Sequence, residues 1–337
     1  MPAEERTVLV SGGSGFLGGW SVAELLRRGY RVRTTVRDLA REPEVRAAVG
    51  SEVDPGDRLS VHAADLSSEE GWKEAAQGCD YVLHVASPFP AVQPKDPDEV
   101  IVPAREGTLR VLRASLGAGA QRVVITSSVA AIGGRAKASS APLTEEDWTD
   151  LSHPKLSPYA ESKTIAERAA WDLARETGDT GRVAVVNPGA IIGPVLSDGR
   201  STSLQLVERL LGGMPGLPRI GFSLVDVRDV ADLQIKAMTA GEAGGERFIA
   251  VNRFLWMAEV AALMRERLGE AAAKVPTRSI PDFVVRAMGI FDPSVRSVVG
   301  QLGRKQEYSS EKARSLLGWS PRSIEESIVD CAKSLSA

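Results

Sequence analysis

A glycine-rich turn near the amino terminus limits the folds open to this chain more than any other feature. The sequence SGGSGFLG, residues 11–18, lies between an apolar, β-branched run (7–11) and a segment with helical apolar spacing (16–28). Glycine permits the tight turn and lets backbone N–H groups approach a pyrophosphate, while the start of the helix supplies positive partial charge. The pattern therefore predicts a dinucleotide site. The residues expected to contact the cofactor here are Gly12, Ser14, Gly15, Phe16, Leu17 and Gly18.

Strands and helices then alternate as far as residue 187. Predicted strands are 31–36, LSVHAAD near residue 60, 81–85, 122–126 and 183–187, with predicted helices at 69–77, 100–116 and 159–176. Such a βαβ series packs as a parallel sheet with helices on both faces. We predict an α/β fold, a doubly wound parallel (Rossmann) sheet with a smaller, discontinuous C-terminal α/β substrate domain.

The turn-rich sequence after residue 188 predicts where the two domains divide. The dinucleotide-binding Rossmann domain is expected to comprise 1–188 and about 223–250, and the substrate-binding domain about 189–222 and 251–337. Residues 222–237 have the pattern of a strand and a helix that return to the main sheet. A ligand site is expected in the cleft between the domains.

Composition excludes several classes of protein. The 337 residues carry 41 Lys plus Arg against 44 Asp plus Glu, without a basic block, so a nucleic-acid partner is not expected. The two cysteines, Cys79 and Cys331, provide neither a disulfide framework nor zinc-ligand spacing, and no metal is predicted. No apolar run approaches the roughly 18 residues of a membrane helix, and the first residues lack a signal sequence. We expect no membrane partner and a cytoplasmic location.

The end of the second predicted strand, TVRD at 35–38, indicates which dinucleotide is bound. A carboxylate at this place binds the ribose 2′-OH of NAD, whereas an arginine accommodates the 2′-phosphate of NADP. Asp38 would suit NAD, but Arg37 precedes it, and a guanidinium is the better partner for phosphate. We predict NADP(H), held by Arg37.

A serine, a tyrosine and a lysine suggest carbonyl chemistry. Ser128 follows the predicted strand 122–126, and Tyr159 and Lys163 are four residues apart at the start of a predicted helix, on one face of it. A nearby ammonium lowers the cost of forming a phenolate, so Lys163 would tune Tyr159. In a reduction Tyr159 would protonate the developing alkoxide, Ser128 would hydrogen-bond the same oxygen, and the hydride would come from the cofactor.

Taken together, these motifs resemble the extended form of the short-chain dehydrogenase/reductase superfamily, in particular its dihydroflavonol reductase, cinnamoyl-CoA reductase and aldehyde reductase group. The motifs that carry the resemblance are VLVSGGSGFLGGW, TVRD, Asp65-Leu66, HVASPF, ITSSVAAI, YAESK, VNPGAIIGP, VDVRDVA and LLGWSPRSIEESI. The resemblance implies that Ser128, rather than Ser127, is catalytic. It also implies further cofactor contacts at Asp65, Leu66, Val85, Ala86, Ser87, Tyr159, Lys163 and Pro188.

Two departures from that group narrow the expected substrate. The asparagine with which dihydroflavonol reductases hold the flavonoid is replaced by Ile132-Gly133-Gly134. The Trp- and Cys-containing motif that cinnamoyl-CoA reductases have around the catalytic tyrosine is replaced by SPYA at 157–160. A flavonoid and a CoA thioester are thus disfavoured, which leaves a small-molecule aldehyde or ketone. Predicted substrate contacts are Phe89, Ile132, Met214 and Phe222.

Two other functions remain open from the sequence. One is an NAD-dependent nucleotide-sugar or sterol-type epimerase or dehydrogenase, which would use the same fold and the same serine, tyrosine and lysine. The other is a noncatalytic sensor that only binds NADPH. The chain is expected to be a monomer or a homodimer.

Overall fold

The computed structural model describes residues 3–87, 96–134, 141–196 and 204–336. The strands are β1 (Thr7–Ser11), β2 (Arg31–Val36), β3 (Leu59–Ala63), β4 (Tyr81–His84), β5 (Arg122–Thr126), β6 (Val183–Pro188), β7 (Ala190–Ile192), β8 (Leu217–Pro218), β9 (Gly221–Asp226), β10 (Arg247–Ala250), β11 (Arg253–Trp256) and β12 (Ser279–Ile280). The helices are α1 (Phe16–Arg27), α2 (Glu42–Gly50), α3 (Trp72–Ala76), α4 (Asp98–Gly117), α5 (Ala130–Gly133), α6 (Pro158–Glu176), α7 (Gln205–Gly212), α8 (Val227–Thr239), α9 (Met257–Leu268), α10 (Asp282–Phe291), α11 (Pro293–Val299), α12 (Glu311–Leu317) and α13 (Ile324–Ser336).

A seven-stranded parallel sheet forms the centre of the molecule, with the strand order β10-β6-β5-β4-β1-β2-β3. The chain runs outward from β1 in one direction through β2 and β3, and in the other through β4, β5 and β6. In open sheets of this kind, ligands bind outside the carboxyl ends of the strands at the point where the order reverses, here between β1 and β4. The predicted doubly wound sheet is confirmed.

Apolar residues on both faces of the strands explain why helices cover the sheet on two sides. Within β1, Val8 and Val10 pack into a buried cluster that includes residues of α1 and α8, whereas Leu9 packs into a separate cluster that includes residues of α4 and α6. Successive side chains of a strand point to opposite faces, so one apolar run requires two layers of helices.

The seventh strand of the main sheet corrects one sequence-based expectation. Residues 222–237 do form a strand and a helix, but the strand, β9, pairs with β7 and β11 in a separate three-stranded sheet. The strand that returns to the main sheet is β10, which pairs with β6. Helix α8 does pack against the main sheet, through Val227, Val230 and Ala231. The division into two domains stays a prediction.

The C-terminal residues build a further core around α7, α9 and α13. Helix α10 lies at the surface, where Phe283 is 73% and Phe291 is 86% exposed. In the described ranges, no helix combines the length and the apolar character needed to span a bilayer.

Candidate active site

The glycine turn closes between β1 and α1 in a form that only glycine permits. Gly12 has a φ of 76°, in the left-handed region, and its carbonyl accepts a hydrogen bond of 3.0 Å from the Gly15 N–H. A Cβ on Gly18 would lie less than 3.0 Å from that carbonyl, and one on Gly12 would lie 3.0 Å from the Cβ of Ala86. The turn is therefore a backbone cradle at the amino end of α1, which suits a pyrophosphate.

Ser11 and His84 attach this turn to the end of β4. The Ser11 hydroxyl accepts hydrogen bonds of 3.0 Å from the N–H groups of both Val85 and Ala86, so its own hydrogen is free for His84 Nδ1, 2.9 Å away. Burial lowers the pKa of His84 to about 3, with a smaller contribution from the charge of Lys163, and the ring is neutral at physiological pH. The predicted cofactor contacts Val85 and Ala86 thus lie beside the glycine turn. Sequence reasoning missed Ser11, whose signal is a hydroxyl at the end of a buried strand.

The arginines around the end of β2 differ in what already binds them. Arg33 donates to three carbonyls at and after the end of α3, Arg46 bonds Glu42, and Arg41 bonds Glu44. Arg37 is exposed and makes no hydrogen bond or ion pair with the described residues. Among the described residues, Arg37 is thus the one of these four cations whose guanidinium is not already paired.

Arg41 brings a carboxylate to the same edge of the sheet. Its Nε and Nη2 donate to the two Glu44 oxygens at 2.9 and 2.8 Å, and its Nη1 donates to Ser14 Oγ at 3.0 Å. The hydrogen bonds from Arg41 lower the pKa of Glu44. Ser14, a predicted cofactor contact in the glycine turn, is thus tied to α2 through Arg41.

Asp65 and Leu66 follow β3 at the carboxyl edge of the sheet. The Ser67 N–H and hydroxyl both donate to Asp65 Oδ1 at 2.7 Å, and these bonds, with a weaker effect of the Arg37 charge, lower the pKa of Asp65. Leu66 packs against Gly107 in α4, since a Cβ there would lie 2.9 Å from the Leu66 Cβ. Their predicted role at the adenine stays a prediction.

Ser128, Tyr159 and Lys163 lie together at the carboxyl end of β5. Ser157 caps α6 by accepting a bond of 3.2 Å from the Ala160 N–H, which starts the helix so that its first turns carry Tyr159 and Lys163. Burial raises the pKa of Tyr159, and a hydrogen bond with Ser128 opposes that shift. The Lys163 Nζ lies 5.9 Å from the centre of the Tyr159 ring.

The pKa of Lys163 is itself shifted. Its Nζ donates to Ser87 Oγ at 2.9 Å, and burial lowers its pKa to about 8, against an opposing contribution from Glu167. The sequence predicted that Lys163 would lower the pKa of Tyr159, yet in the structure burial outweighs other influences and the pKa of Tyr159 lies above its usual value. At neutral pH the tyrosine is a phenol and the lysine an ammonium.

A buried charged network lies behind these residues. The Glu167 carboxylate, 1% exposed, accepts hydrogen bonds from Ser127 Oγ, from Asn187 Nδ2 at 2.8 Å and from Arg247 Nε at 2.6 Å. Asn187 Nδ2 also donates to the Ser128 carbonyl at 3.2 Å. Sequence reasoning missed this network, although a charge within the apolar strand RFIA and one within the apolar face of α6 were signals for it.

The remaining predicted contacts lie in several places. Pro188 ends β6, and its carbonyl accepts a 3.0 Å bond from the Val129 N–H, next to Ser128. Phe89 lies outside the described residues. Ile132 is 1% exposed and packs with Ile249 and Val251, while Met214 and Phe222 pack against the C-terminal core. Their part in substrate binding stays a prediction. Within the described residues, no cluster of histidine, cysteine and acidic side chains is arranged to hold a metal.

Known proteins resemble this arrangement over most of the chain. Residues 8–251 match the model of the family described as NAD dependent epimerase/dehydratase. A cinnamoyl-CoA reductase of Medicago truncatula is 36% identical over 77% of this chain and 80% of its own length. A dihydroflavonol 4-reductase of Zea mays is 34% identical over 80% of this chain and 76% of its own.

Solved structures agree with those relatives. The yeast methylglyoxal/isovaleraldehyde reductase Gre2, complexed with NADPH, superimposes with a TM-score of 0.81 at 25% identity, over 98% of each chain. The NADPH complex of Gre2 from Candida albicans gives 0.82 at 26% identity, again over 98% of each chain.

Proposed function

This chain belongs to the NAD dependent epimerase/dehydratase family, in its extended short-chain dehydrogenase/reductase form, and we propose that it is an NADPH-dependent reductase of aldehydes or ketones. The observation that carries the proposal is the meeting of Ser128, Tyr159 and Lys163 at the carboxyl edge of the sheet that also holds the glycine turn. Its relatives named above are reductases, and two of the solved structures contain NADPH.

The residues of the turn fit a dinucleotide phosphate. A Cβ on Gly12 would meet Ala86 and one on Gly18 would meet the Gly12 carbonyl, so the turn keeps this shape only with glycine at both positions. Arg37, directly after β2, makes no hydrogen bond or ion pair with the described residues. Arg37 would hold the 2′-phosphate, and the cradle at the start of α1 would hold the pyrophosphate. When bound, the cofactor supplies the hydride.

The chain's own side chains would supply the proton and the binding of the carbonyl oxygen. In our proposal, the Tyr159 phenol and the Ser128 hydroxyl both hydrogen-bond that oxygen. During reduction of the carbonyl, the O–H bond of Tyr159 would break and its proton would pass to the oxygen, which becomes the alcohol. The ammonium of Lys163 stabilises the phenolate left behind, and solvent returns the proton before the next turnover.

The test is the loss of absorbance at 340 nm with NADPH and, separately, with NADH. The substrates are aromatic and aliphatic aldehydes, β-keto esters, diketones, a dihydroflavonol and a cinnamoyl-CoA thioester. We expect turnover with NADPH on an aldehyde or ketone and little on the last two. If no substrate of the panel is reduced and the denatured protein releases NAD, the proposal would be overturned in favour of an epimerase.

Several expectations stay predictions of the sequence. They are the cytoplasmic location, the monomer or homodimer, the absence of a nucleic-acid partner and the two-domain division at residues 188 and 223.

A further inference from the structure

Glu167 is a buried carboxylate that the proposed reaction does not use. It lies on α6 one helical turn after Lys163, on the same face, and it is 1% exposed. Taking a carboxylate out of water is costly unless its charge is paired and its oxygens are hydrogen-bonded. A glutamate at such a position therefore needs its partners.

Each partner comes from a different part of the sheet. Ser127 follows β5, Asn187 is in β6, and Arg247 begins β10, and all three donate to the Glu167 carboxylate. Arg247 is fixed in turn, because its Nη1 donates to the carbonyls of residues 145 and 147 and its guanidinium lies 3.8 Å from the centre of the Trp148 ring. One carboxylate thus fastens α6 to three adjacent strands.

The network reaches the residues that carry the proposed chemistry. Ser127 adjoins Ser128, and Asn187 adjoins Pro188 while it also donates to the Ser128 carbonyl at 3.2 Å. Since Tyr159 lies in the first turn of α6, the helix that Glu167 holds in place, a shift of α6 would separate the tyrosine from Ser128.

The charge of Glu167 provides a second link between this residue and the proposed chemistry, through Lys163. In the described part of the chain, the groups facing Lys163 are Tyr159 and Glu167 on α6, and His84 and Ser87 at the end of β4. His84 is neutral because burial lowers its pKa to about 3, and Tyr159 is neutral because burial raises its pKa. Glu167 is the member of this group that carries a negative charge, which opposes the effect of burial on Lys163.

We propose that Glu167 is a positioning residue of this site, whose carboxylate fixes α6 on the ends of β5 and β6 and whose negative charge keeps Lys163 an ammonium. This inference rests on the proposed reductase function. Glu167 touches neither substrate nor cofactor in the proposal; it acts through Lys163 and through the helix that carries Tyr159.

Glu167→Gln tests the charge while keeping the shape of the side chain. In the pH profile of kcat/KM for NADPH-dependent reduction, we expect the fall at alkaline pH, the alkaline limb, to occur about one pH unit lower. This is the effect of removing one nearby opposite charge. The profile is measured from about pH 6 to about pH 10. In parallel, the rate of Lys163 acetylation by acetic anhydride is followed by mass spectrometry over the same range, which reports the lysine without any turnover.

Three further variants separate charge from structure. Glu176→Gln makes the same substitution at an exposed position of α6, and we expect no shift. Glu167→Asp keeps the charge, so its limb should stay near that of the wild type even where kcat falls. If Glu167→Gln does not fold, the double variant Glu167→Gln/Arg247→Gln removes both buried charges and leaves neither unpaired, with the same downward shift expected.

The results are distinguishable. A lower limb in the glutamine variant, with the limb retained in the aspartate variant, supports the proposal. An unmoved limb and an unmoved acetylation profile in the glutamine variant, or in the double variant, would overturn it and leave Glu167 a purely structural residue. If the wild type reduces no carbonyl, the proposed function fails, while the acetylation profiles still decide whether Glu167 controls Lys163.

Discussion

The candidate active site has two sides that consist of different chemical groups. We call the ends of β1 and β4 the first side and the ends of β5 and β6 the second side. Where β1 and β4 end, the walls are backbone and uncharged side chains, with Gly12, Gly18 and a neutral His84 held by Ser11, and the charge that we assign to the cofactor on this side is Arg37, directly after β2. Where β5 and β6 end, the site consists of side chains, and its shape depends on the buried charges of Glu167 and Arg247. The first side should therefore respond to added bulk and little to pH, and the second should respond to pH and to the loss of single polar groups.

Removing the Tyr159 hydroxyl from the second side should have the largest effect on turnover. We expect Tyr159→Phe to lower kcat by roughly 10²- to 10⁴-fold, the contribution of a positioned proton donor, because no other group of the proposed site would deliver that proton. NADPH affinity, measured by quenching of protein fluorescence, should change little, since the glycine turn and Arg37, which hold the phosphates in the proposal, are untouched. Near-normal turnover in this variant would remove Tyr159 as the proton donor.

On the first side, one free charge should set cofactor choice. We expect Arg37→Ala to raise the KM for NADPH by roughly 10- to 100-fold, the value of a charge-assisted bond to a phosphate, and to leave the KM for NADH nearly unchanged. Arg46→Ala is the matched control, because Arg46 is already held by Glu42 and the Leu59 carbonyl. Equal losses with both cofactors would contradict the assignment of Arg37 to the 2′-phosphate.

Adding a methyl group should affect two adjacent glycines of α1, Gly18 and Gly19, differently. A Cβ on Gly18 would force the Gly12 carbonyl to move, so Gly18→Ala should lower the free energy of unfolding by about 1–3 kcal/mol and weaken NADPH binding. A Cβ on Gly19 would meet atoms no closer than 3.6 Å, so Gly19→Ala should be neutral or stabilising. Chemical denaturation and NADPH titration of the pair provide the comparison. Equal behaviour of the two variants would mean that the turn is not closely packed.

A change in pH should affect the second side alone. Because burial lowers the pKa of Lys163 to about 8, the ammonium form predominates below that pH and is lost as the pH rises through it. Tyr159 stays protonated, since its pKa is raised. We expect kcat/KM for reduction to fall by up to about tenfold per pH unit above pH 8, with NADPH affinity changing less. In Lys163→Arg the charge persists and this limb should disappear; a limb that stays at the same pH belongs to another group.

The first side was also the more predictable from sequence. The strand bounds 7–11 and 31–36 agree with the structure, because each segment is rich in β-branched residues and lies between turn signals, which are local properties of the sequence. The glycine spacing gave the turn in the same way. Arg37 was identified by position, but the structure was needed to show that, of four neighbouring arginines, it is the one without a hydrogen bond or ion pair to the described residues.

What the sequence missed depends on contacts between distant residues. Strand β9 has the pattern of a main-sheet strand, and only its pairing with β7 and β11 puts it elsewhere. Arg247 and Glu167 are 80 residues apart, and each alone could be an ordinary surface charge. The sign of the Tyr159 shift was also missed, because the depth of its burial is a property of the folded chain.

The contacts around the glycine turn also set when a growing chain becomes able to bind its cofactor. Gly12 donates to Thr35 Oγ1, and Ala86 donates to Ser11 Oγ, so residues 11–18 leave the ribosome well before their partners. Synthesis adds about 5–20 residues per second, so the stretch up to Lys163 takes roughly 7 to 30 seconds more. A nascent chain therefore carries the phosphate-binding sequence long before it carries the site. Prematurely terminated fragments that end before β4 should sequester no NADPH in the cell.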